Sequence, residues 1–306
     1  MVARPPRSWA VLGLVVVYVV LAPSVFLLGP LLLLLLLSGP RALREWAWIS
    51  ASALGLSVWA QAGSDDLPVR VLQAAGLLFS GAMAASALAW PSSLSPLARL
   101  GAAAAFMTAG VAVWAAVLGI GVADVTGAIA DQTVAMATLL LQGNPPPSPE
   151  IRGLLESVIQ TAPASARLAP GVLVLAALAG GGLAWTWYHR VALAPMGRPS
   201  RAYADFRFDD RLVWGAIVTL AVVLAPVPDR WNWVGGNLLL VWIGLYAFRG
   251  GAVLWSLVRR APVFVRLALL LGGILLLPFA SGGLLALGLA DTWVDLRQRF
   301  ARAPTP

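Results

Sequence analysis

The sequence predicts an all-α protein, a polytopic transmembrane bundle of about eight to ten membrane helices. The chain has 306 residues, of which 60% are hydrophobic and 11% charged, and its mean hydropathy is +0.85. A soluble domain carries about 25% charged residues, and a chain of this size cannot bury so much apolar surface in one core. The surplus therefore faces lipid. Because backbone polar groups in lipid must be paired within each segment, the apolar runs are helices.

The first apolar run, Ser8–Ser38, is longer than the roughly 20 residues that one crossing needs. Arginines flank it on both sides: Arg4 and Arg7 before it, Arg41 and Arg44 after it. Since arginine-rich loops stay in the cytoplasm, both ends lie inside and the run must go out and return. We expect the breaks at Pro23 and at Gly29-Pro30, because proline cannot continue the helical hydrogen bonds.

Six runs between the first and the last apolar run are predicted as single crossings. They are Trp46–Gln61, Val69–Trp90, Leu100–Val122, Leu168–Tyr188, Leu212–Pro226 and Val234–Val258. The last run, Val263–Ala290, resembles the first in its flanking arginines, so we expect a second hairpin, broken near Pro278 or at Gly282-Gly283. This threading makes residues 1–306 one integral membrane domain with both termini in the cytoplasm.

The segment 123–167 is predicted as an extracytoplasmic amphipathic segment rather than a crossing. Ser148 is placed to cap a helix that begins at Pro149, with Glu150 complementing the helix dipole. Apolar residues then recur at helical spacing: Ile151, Leu154, Leu155, Val158 and Ile159. We expect residues 149–160 to form a helix that lies on the outer membrane surface or covers the transmembrane helices.

The amino-acid composition excludes several kinds of metal site and catalytic site. The sequence contains no cysteine and a single histidine, His189, so thiolate and multi-histidine metal sites are excluded and we expect no cofactor. It has no His-Glu-x-x-His pair and no lysine for a phosphate-binding loop. Ser80 lacks the glycine two positions earlier that rhomboid-type proteases have, since Leu78 stands there. We therefore expect no catalytic residues and no enzymatic activity.

All 21 basic residues are arginine, and the formal net charge is +8. The arginines lie in short loops between apolar runs, where they orient a membrane protein, so we expect a lipid bilayer and not nucleic acid as the partner. Exclusive use of arginine, with abundant alanine, glycine and proline, is typical of a GC-rich bacterial genome. The predicted location is the bacterial cytoplasmic membrane.

Polar residues inside apolar runs are candidate functional sites, because they are costly in lipid. Asn237 either binds a ligand or bonds to a neighbouring helix, and with Trp231, Asn232 and Trp233 it marks a candidate outer ligand pocket. Two charged residues in later runs each have two possible roles. Arg249 is either a buried ion-pair partner or a side chain that reaches the inner surface, and Asp291 either pairs with an arginine or marks a helix end. We expect Arg249 and Asp291 to form a structural or coupling pair.

The C-terminal half resembles the YybS-like family of predicted bacterial membrane proteins, over about Pro163–Arg299. The features that carry the resemblance, in order, are Ala169-Pro170, Tyr188-His189-Arg190, Phe206 and Phe208, Arg211–Trp214, Asn237-Leu238, Tyr246–Gly250, Leu287–Asp291 and Asp295–Arg297. That family is similar in size and helical layout to the substrate-binding membrane subunits of energy-coupling factor vitamin transporters. This resemblance implies a subunit that binds a small ligand near the outer face and is moved by a separate ATPase.

Two functions from different classes remain open at the level of sequence. The first is a small-molecule binding or transport subunit without its own ATPase, which works with a cytoplasmic or membrane partner subunit. The alternative is a non-transporting scaffold or regulator that acts through its arginine-rich cytoplasmic loops. The loop Arg190–Arg211 suits docking in either case, or simply orients the chain as a solvated loop.

Overall fold

The computed structural model describes residues 25–42, 66–90, 94–143, 147–259 and 261–297, together with scattered positions between 46 and 58. The predicted all-α class is confirmed, because the regular elements in this part of the chain are helical. In chain order they are α1 (Val25–Ser38), α2 (Leu67–Ala89), α3 (Pro96–Val117), α4 (Val122–Leu141), α5 (Pro149–Ala166), α6 (Ala169–Val191), α7 (Val213–Leu224), α8 (Asp229–Val258), α9 (Val263–Leu275) and α10 (Leu277–Val294).

Four of these helices, α2, α3, α6 and α8, are long and apolar enough to cross a membrane. The remaining apolar helices are shorter. Helix α7 has 12 residues, a length of about 18 Å, so it is shorter than the hydrocarbon core of roughly 30 Å. The predicted crossing Trp46–Gln61 lies largely outside the described residues.

The predicted break at Gly29-Pro30 is wrong, because α1 continues from Val25 to Ser38 with Pro30 inside it. A proline inside a helix removes one backbone hydrogen bond, and packed helices tolerate such a residue. Gly29 also favours continuity, since its missing side chain makes room for Ser80 of α2. The other predicted break, Pro23, lies outside the described residues.

The break near Pro278 is confirmed. Helix α9 ends at Leu275 and α10 begins at Leu277, which puts Pro278 in the first turn of a helix, where its missing N–H costs no hydrogen bond. The other predicted break is wrong, since Gly282 and Gly283 lie inside α10.

The chain divides into two compact units, residues 1–200 and 201–306. In the first unit, α1, α2, α3 and α6 pack around a core that includes Phe26 and Phe79, whose rings meet edge to face at 5.7 Å. Two backbone hydrogen bonds join the ends of α1 and α6: Arg41 N–H donates to Val191, and Leu193 N–H donates to Gly39.

The predicted amphipathic helix is present as α5. The hydroxyl of Ser148 accepts a hydrogen bond from the N–H of Ile151, which is the predicted N-cap. Helix α5 packs against α4, and neither helix is among the candidate membrane spans. Whether the pair lies on the outer surface stays a prediction.

In the second unit, α8 packs against α10 and α7. The two helices α8 and α10 touch through their backbones. A Cβ atom on Gly250 would lie 1.8 Å from the carbonyl oxygen of Leu284, and one on Gly288 would lie 1.9 Å from that of Tyr246. Only glycine at both positions allows this approach.

Candidate functional site

A buried ionic network in the second unit is centred on Arg249 of α8. The Arg249 side chain has no exposed surface, and its Nε–H donates to Oδ2 of Asp291 at 3.0 Å. One terminal nitrogen donates to the backbone oxygen of Asp291 at 3.1 Å, and the other donates to Oδ1 of Asp210 at 2.7 Å. The guanidinium therefore bonds in three directions and links α8, α10 and the segment before α7.

The glycine contact described above places Arg249 within reach of the α10 backbone. Gly250 follows Arg249 directly, and Gly288 precedes Asp291 by less than one turn. Because these glycines let the two helix axes approach closely, the guanidinium reaches both the carboxylate and the main-chain oxygen of Asp291. The geometry of the ion pair thus depends on small residues next to it on both helices.

A second arginine, Arg297, lies just beyond α10 and fastens the segment 203–210 to the unit. It donates to the backbone oxygens of Ala204 at 2.7 Å and Phe206 at 2.9 Å, and lies 3.4 Å from Oδ2 of Asp291. Burial lowers the pKa of Arg297, and the carboxylate of Asp291 acts in the opposite direction. Asp291 Oδ2 is therefore shared by two guanidinium groups.

The chain turns back toward this network at Asp295, which ends α10 in a left-handed conformation with φ of 43°. Its carboxylate pairs with Arg207 at 3.0 Å, and both side chains are about one-third exposed. This outer ion pair and the inner contacts of Arg297 hold the segment 203–210 against the C-terminal half of α8 and the end of α10.

Aromatic side chains cover the network. The ring of Phe208 lies 5.2 Å from the Arg249 guanidinium and 5.1 Å from the ring of Tyr246, and the ring of Phe206 lies 4.8 Å from that of Phe248. The hydroxyl of Tyr203 donates to the backbone oxygen of Phe248 at 3.1 Å. Burial raises the pKa of Tyr203 to about 12, against a smaller opposing effect of Arg297.

The charges of the network balance, with Arg249 and Arg297 facing Asp291 and Asp210. Exposure differs sharply between the two acids, since the side chain of Asp210 is 55% exposed and that of Asp291 is fully enclosed. The second carboxylate oxygen of Asp291, Oδ1, is buried and has no hydrogen-bond partner among the described residues. Through Arg249, the enclosed carboxylate of Asp291 is linked to the half-exposed carboxylate of Asp210.

The structure brings Arg249 and Asp291 together, while their role as a structural or coupling pair stays a prediction. Asp210, Arg297 and Phe208 were not predicted as members of the site. The segment 203–210 is also more than a solvated loop, because Ala204 and Phe208 are buried. The alternation of Phe206 and Phe208 with charged residues was the available sign that this segment packs on something.

The four predicted ligand residues lie within the first nine positions of α8, which begins at Asp229. Trp231 is 51% exposed, and the guanidinium of Arg230 lies 5.8 Å from the centre of the Trp231 ring. Oδ1 of Asn232 is buried without a hydrogen-bond partner in the described part of the chain. Asn237 is 8% exposed, and its amide donates to the backbone oxygen of Trp233 at 2.9 Å.

The four predicted ligand residues do not lie at the ionic network around Arg249. Asn237 and Arg249 lie on one uninterrupted helix, 12 positions apart, which corresponds to about 18 Å. A compact ligand at Asn237 therefore cannot touch the Arg249–Asp291 pair. Within the described residues, no group of three or more histidine, aspartate and glutamate side chains has the arrangement of a metal site.

In a comparison with known families, the model of the family described as "Predicted membrane protein (DUF2232)" matches residues 9–292. The chain belongs to the DUF2232 family. No curated protein matches it, and no solved structure does. The region that matches the DUF2232 model includes Asp210, Arg249 and Asp291, and it ends before Arg297.

The first unit of this DUF2232 protein holds another fully buried arginine, Arg99, in the first turn of α3. It donates to the backbone oxygen of Trp90 at 2.7 Å and to the hydroxyl of Ser86 at 3.2 Å, and it lies 4.8 Å from the ring centre of Trp185. Arg99 is therefore a junction of α2, α3 and α6.

Proposed function

We propose that this chain is a small-molecule binding or transport subunit of the bacterial cytoplasmic membrane, without an ATPase of its own. The observation that carries the proposal is the continuity of α8. This helix has 30 residues and is about 45 Å long, so it exceeds the thickness of the hydrocarbon core. It bears the tryptophans, Asn232 and Asn237 at one end and the buried Arg249 network toward the other.

Such a helix suits a subunit that must transmit ligand binding across the membrane. A ligand at Asn232 and Asn237 contacts the outer end of the helix in the proposed threading. A shift or tilt of α8 as a rigid rod then changes the position of Arg249 relative to Asp210 and Asp291. Because Asp210 is half exposed, the network offers a partner a charged surface whose geometry depends on α8.

The resemblance to the YybS-like family, and through it to the binding subunits of energy-coupling factor transporters, supports the same proposal. Energy would come from a separate partner subunit, since the printed sequence has no lysine and so no phosphate-binding loop that ends in Gly-Lys. Both termini and the arginine-rich loops face the cytoplasm in this proposal, where the partner would bind. No catalytic role is assigned to any residue.

Native mass spectrometry of the gently solubilised protein tests the proposal. We expect a retained small molecule that is lost from Asn237→Leu and kept by Leu238→Ala, which changes the adjacent, half-exposed position. Retention of a partner protein without any small molecule would favour the scaffold function instead. Equal retention by both variants would remove Asn237 from the binding site.

A further inference from the structure

Segment 203–210 is held on α8 and α10 through side chains. Among the described residues, each hydrogen bond or ion pair between the segment and those helices, or the residues after α10, has a side chain as at least one partner. Within the same part of the chain, its backbone-to-backbone hydrogen bonds link only near neighbours in sequence, such as Asp205 to Ala202 and Phe206 to Tyr203. A segment attached in this way opens locally at a lower free-energy cost than the helices beneath it.

The contact between α8 and α10, in contrast, involves both main chains. Gly250 lies against the backbone of α10 at Leu284, and Gly288 lies against the backbone of α8 at Tyr246. A contact between two main chains is not relieved by a change of side-chain rotamer, whereas each bond to the segment is. The segment is therefore the part of the ionic network that separates most easily from the rest.

Asp291 connects the two halves of the segment through two arginines. Its Oδ2 accepts a hydrogen bond from Arg249, which also holds Asp210 in the second half. The same oxygen lies 3.4 Å from Arg297, which donates to the backbone oxygen of Ala204 in the first half. One fully enclosed carboxylate thus positions both of the guanidinium groups that hold the segment.

The ionic contacts that the segment makes with its own side chains lie at the surface. The side chain of Asp210 is 55% exposed, and those of Arg207 and Asp295 are about one-third exposed. Exposed ion pairs contribute only about 0 to 1 kcal/mol, since water solvates the separated charges. Opening therefore costs little at these outer contacts and is limited by the buried ends of Arg249 and Arg297.

We infer that segment 203–210 is a strap that opens as one unit from α8 and α10, and that Asp291 is the positioning residue that couples its two halves. When Asp210 departs, Arg249 is balanced by Asp291 alone, so less of the charge on Asp291 is available to Arg297. The first half of the strap then loosens with the second. Opening leaves two guanidinium groups beside one carboxylate, so the uncovered surface has a surplus of positive charge. The inference does not rest on the proposed transport function.

Cysteine labelling of the full-length protein in lipid nanodiscs tests the strap. The sequence has no cysteine, so a single introduced thiol reports only on its own position. Ala204 is 5% exposed, and the rate at which Ala204→Cys reacts with a water-soluble maleimide measures the opening of the first half. Asp210→Asn, in the second half, should raise this rate about threefold to fivefold, because a half-exposed ion pair contributes at most about 1 kcal/mol, a factor of about five. Asp291→Asn should raise it more than about tenfold, because it withdraws the charge from both arginines.

The matched control is Asp209→Asn. Asp209 is the exposed neighbour of Asp210, and among the described residues its carboxylate accepts only from the N–H of Arg211, so this variant should label Ala204→Cys at the wild-type rate. A second reporter, Ala252→Cys, is at a fully buried position of α8 and measures the opening of the helix itself. It should react more slowly than Ala204→Cys, and Asp210→Asn should leave its rate unchanged.

Three results would each overturn the inference. Equal rates for Ala204→Cys and Ala252→Cys would show that the strap does not open apart from the helices. An unchanged Ala204→Cys rate in Asp210→Asn would show that the two halves move independently, and an equal rise in Asp209→Asn would show that the loss of any nearby charge is sufficient. Circular dichroism verifies that each variant is folded. If Asp291→Asn is misfolded, the comparison of Asp210→Asn with Asp209→Asn decides the outcome.

Discussion

The Nε atom of Arg249 lies 3.0 Å from Oδ2 of Asp291, and neither side chain is exposed. The two residues are 42 positions apart and lie on helices α8 and α10. A buried ion pair carries a large desolvation cost, which is offset only when further hydrogen bonds satisfy both partners. Here Asp210 and Arg297 supply further contacts, while Oδ1 of Asp291 has no partner among the described residues, so the pair depends on the segments before α7 and after α10 as well.

Removal of one partner of this pair should be strongly destabilising. Arg249→Met leaves the Asp291 carboxylate buried with only Arg297 beside it, and we expect a loss of about 3 to 5 kcal/mol. The double variant Arg249→Met, Asp291→Leu should lose less than the sum of the two single variants, because no charge is then left unpaired at that contact. Unfolding in dodecyl sulfate, followed by circular dichroism, measures all of these changes.

Asp210→Asn is the matched control for that series, because it removes a charge from the same guanidinium at a half-exposed position. We expect a change of about 1 kcal/mol or less. Strictly additive effects of Arg249→Met and Asp291→Leu would show that the two side chains do not act as a pair.

The close approach of α8 and α10 at Gly250 gives a second prediction. Gly250→Ala places a methyl group against the main chain of α10, which cannot move aside as a side chain can. We expect a destabilisation of about 1 to 3 kcal/mol or more, by analogy with overpacked cores. The same unfolding assay provides the measurement.

Gly283→Ala on α10 serves as the control, since nothing lies within 4 Å of its added Cβ. This variant should be neutral or up to about 1 kcal/mol more stable, because alanine is the better helix former. If Gly250→Ala behaved like Gly283→Ala, the backbone contact between the two helices would be refuted.

The features that the sequence predicted are those with local causes. The Ser148 cap and the break near Pro278 follow from a few neighbouring residues, and the helical class follows from hydropathy. Beyond the predicted pair of Arg249 and Asp291, Asp210 and Arg297 escaped prediction because they lie outside the apolar runs: Asp210 is 39 positions from Arg249, and Ala204 is 93 from Arg297. Hydropathy marks which residues are costly in lipid, but it does not indicate which polar groups share a site.

The glycines likewise show that the sequence does not indicate which residues meet in the fold. The sequence has glycine pairs at Gly272-Gly273 and Gly282-Gly283, yet an added Cβ at any of the four meets nothing within 4 Å. The close contacts are at Gly250 and Gly288 instead. A glycine pair shows that a close approach is permitted, whereas the face that is used depends on the neighbouring helix.

Arg99 should not tolerate replacement by lysine. Its guanidinium bonds to Trp90 and Ser86 and lies on the face of Trp185, and lysine cannot reproduce that planar set of contacts. We expect Arg99→Lys to cost about 1 to 3 kcal/mol in the unfolding assay. Arg152→Lys, at an exposed position of α5, should stay within about 0.5 kcal/mol. Equal stability of the two variants would contradict the role of Arg99 as a junction of three helices.

The ionisation of Tyr203 should make stability depend on alkaline pH. Its pKa is raised to about 12 in the folded protein, whereas an exposed tyrosine titrates near 10. The folded state therefore holds the proton more tightly, so this contribution to stability is complete below about pH 10 and is lost as the pH rises through about 12. Tyr203→Phe should remove that part of the pH dependence, and the absorbance difference between wild type and variant should show a tyrosinate transition near pH 12. A transition near pH 10 would mean that the hydroxyl is open to water and does not bond to Phe248.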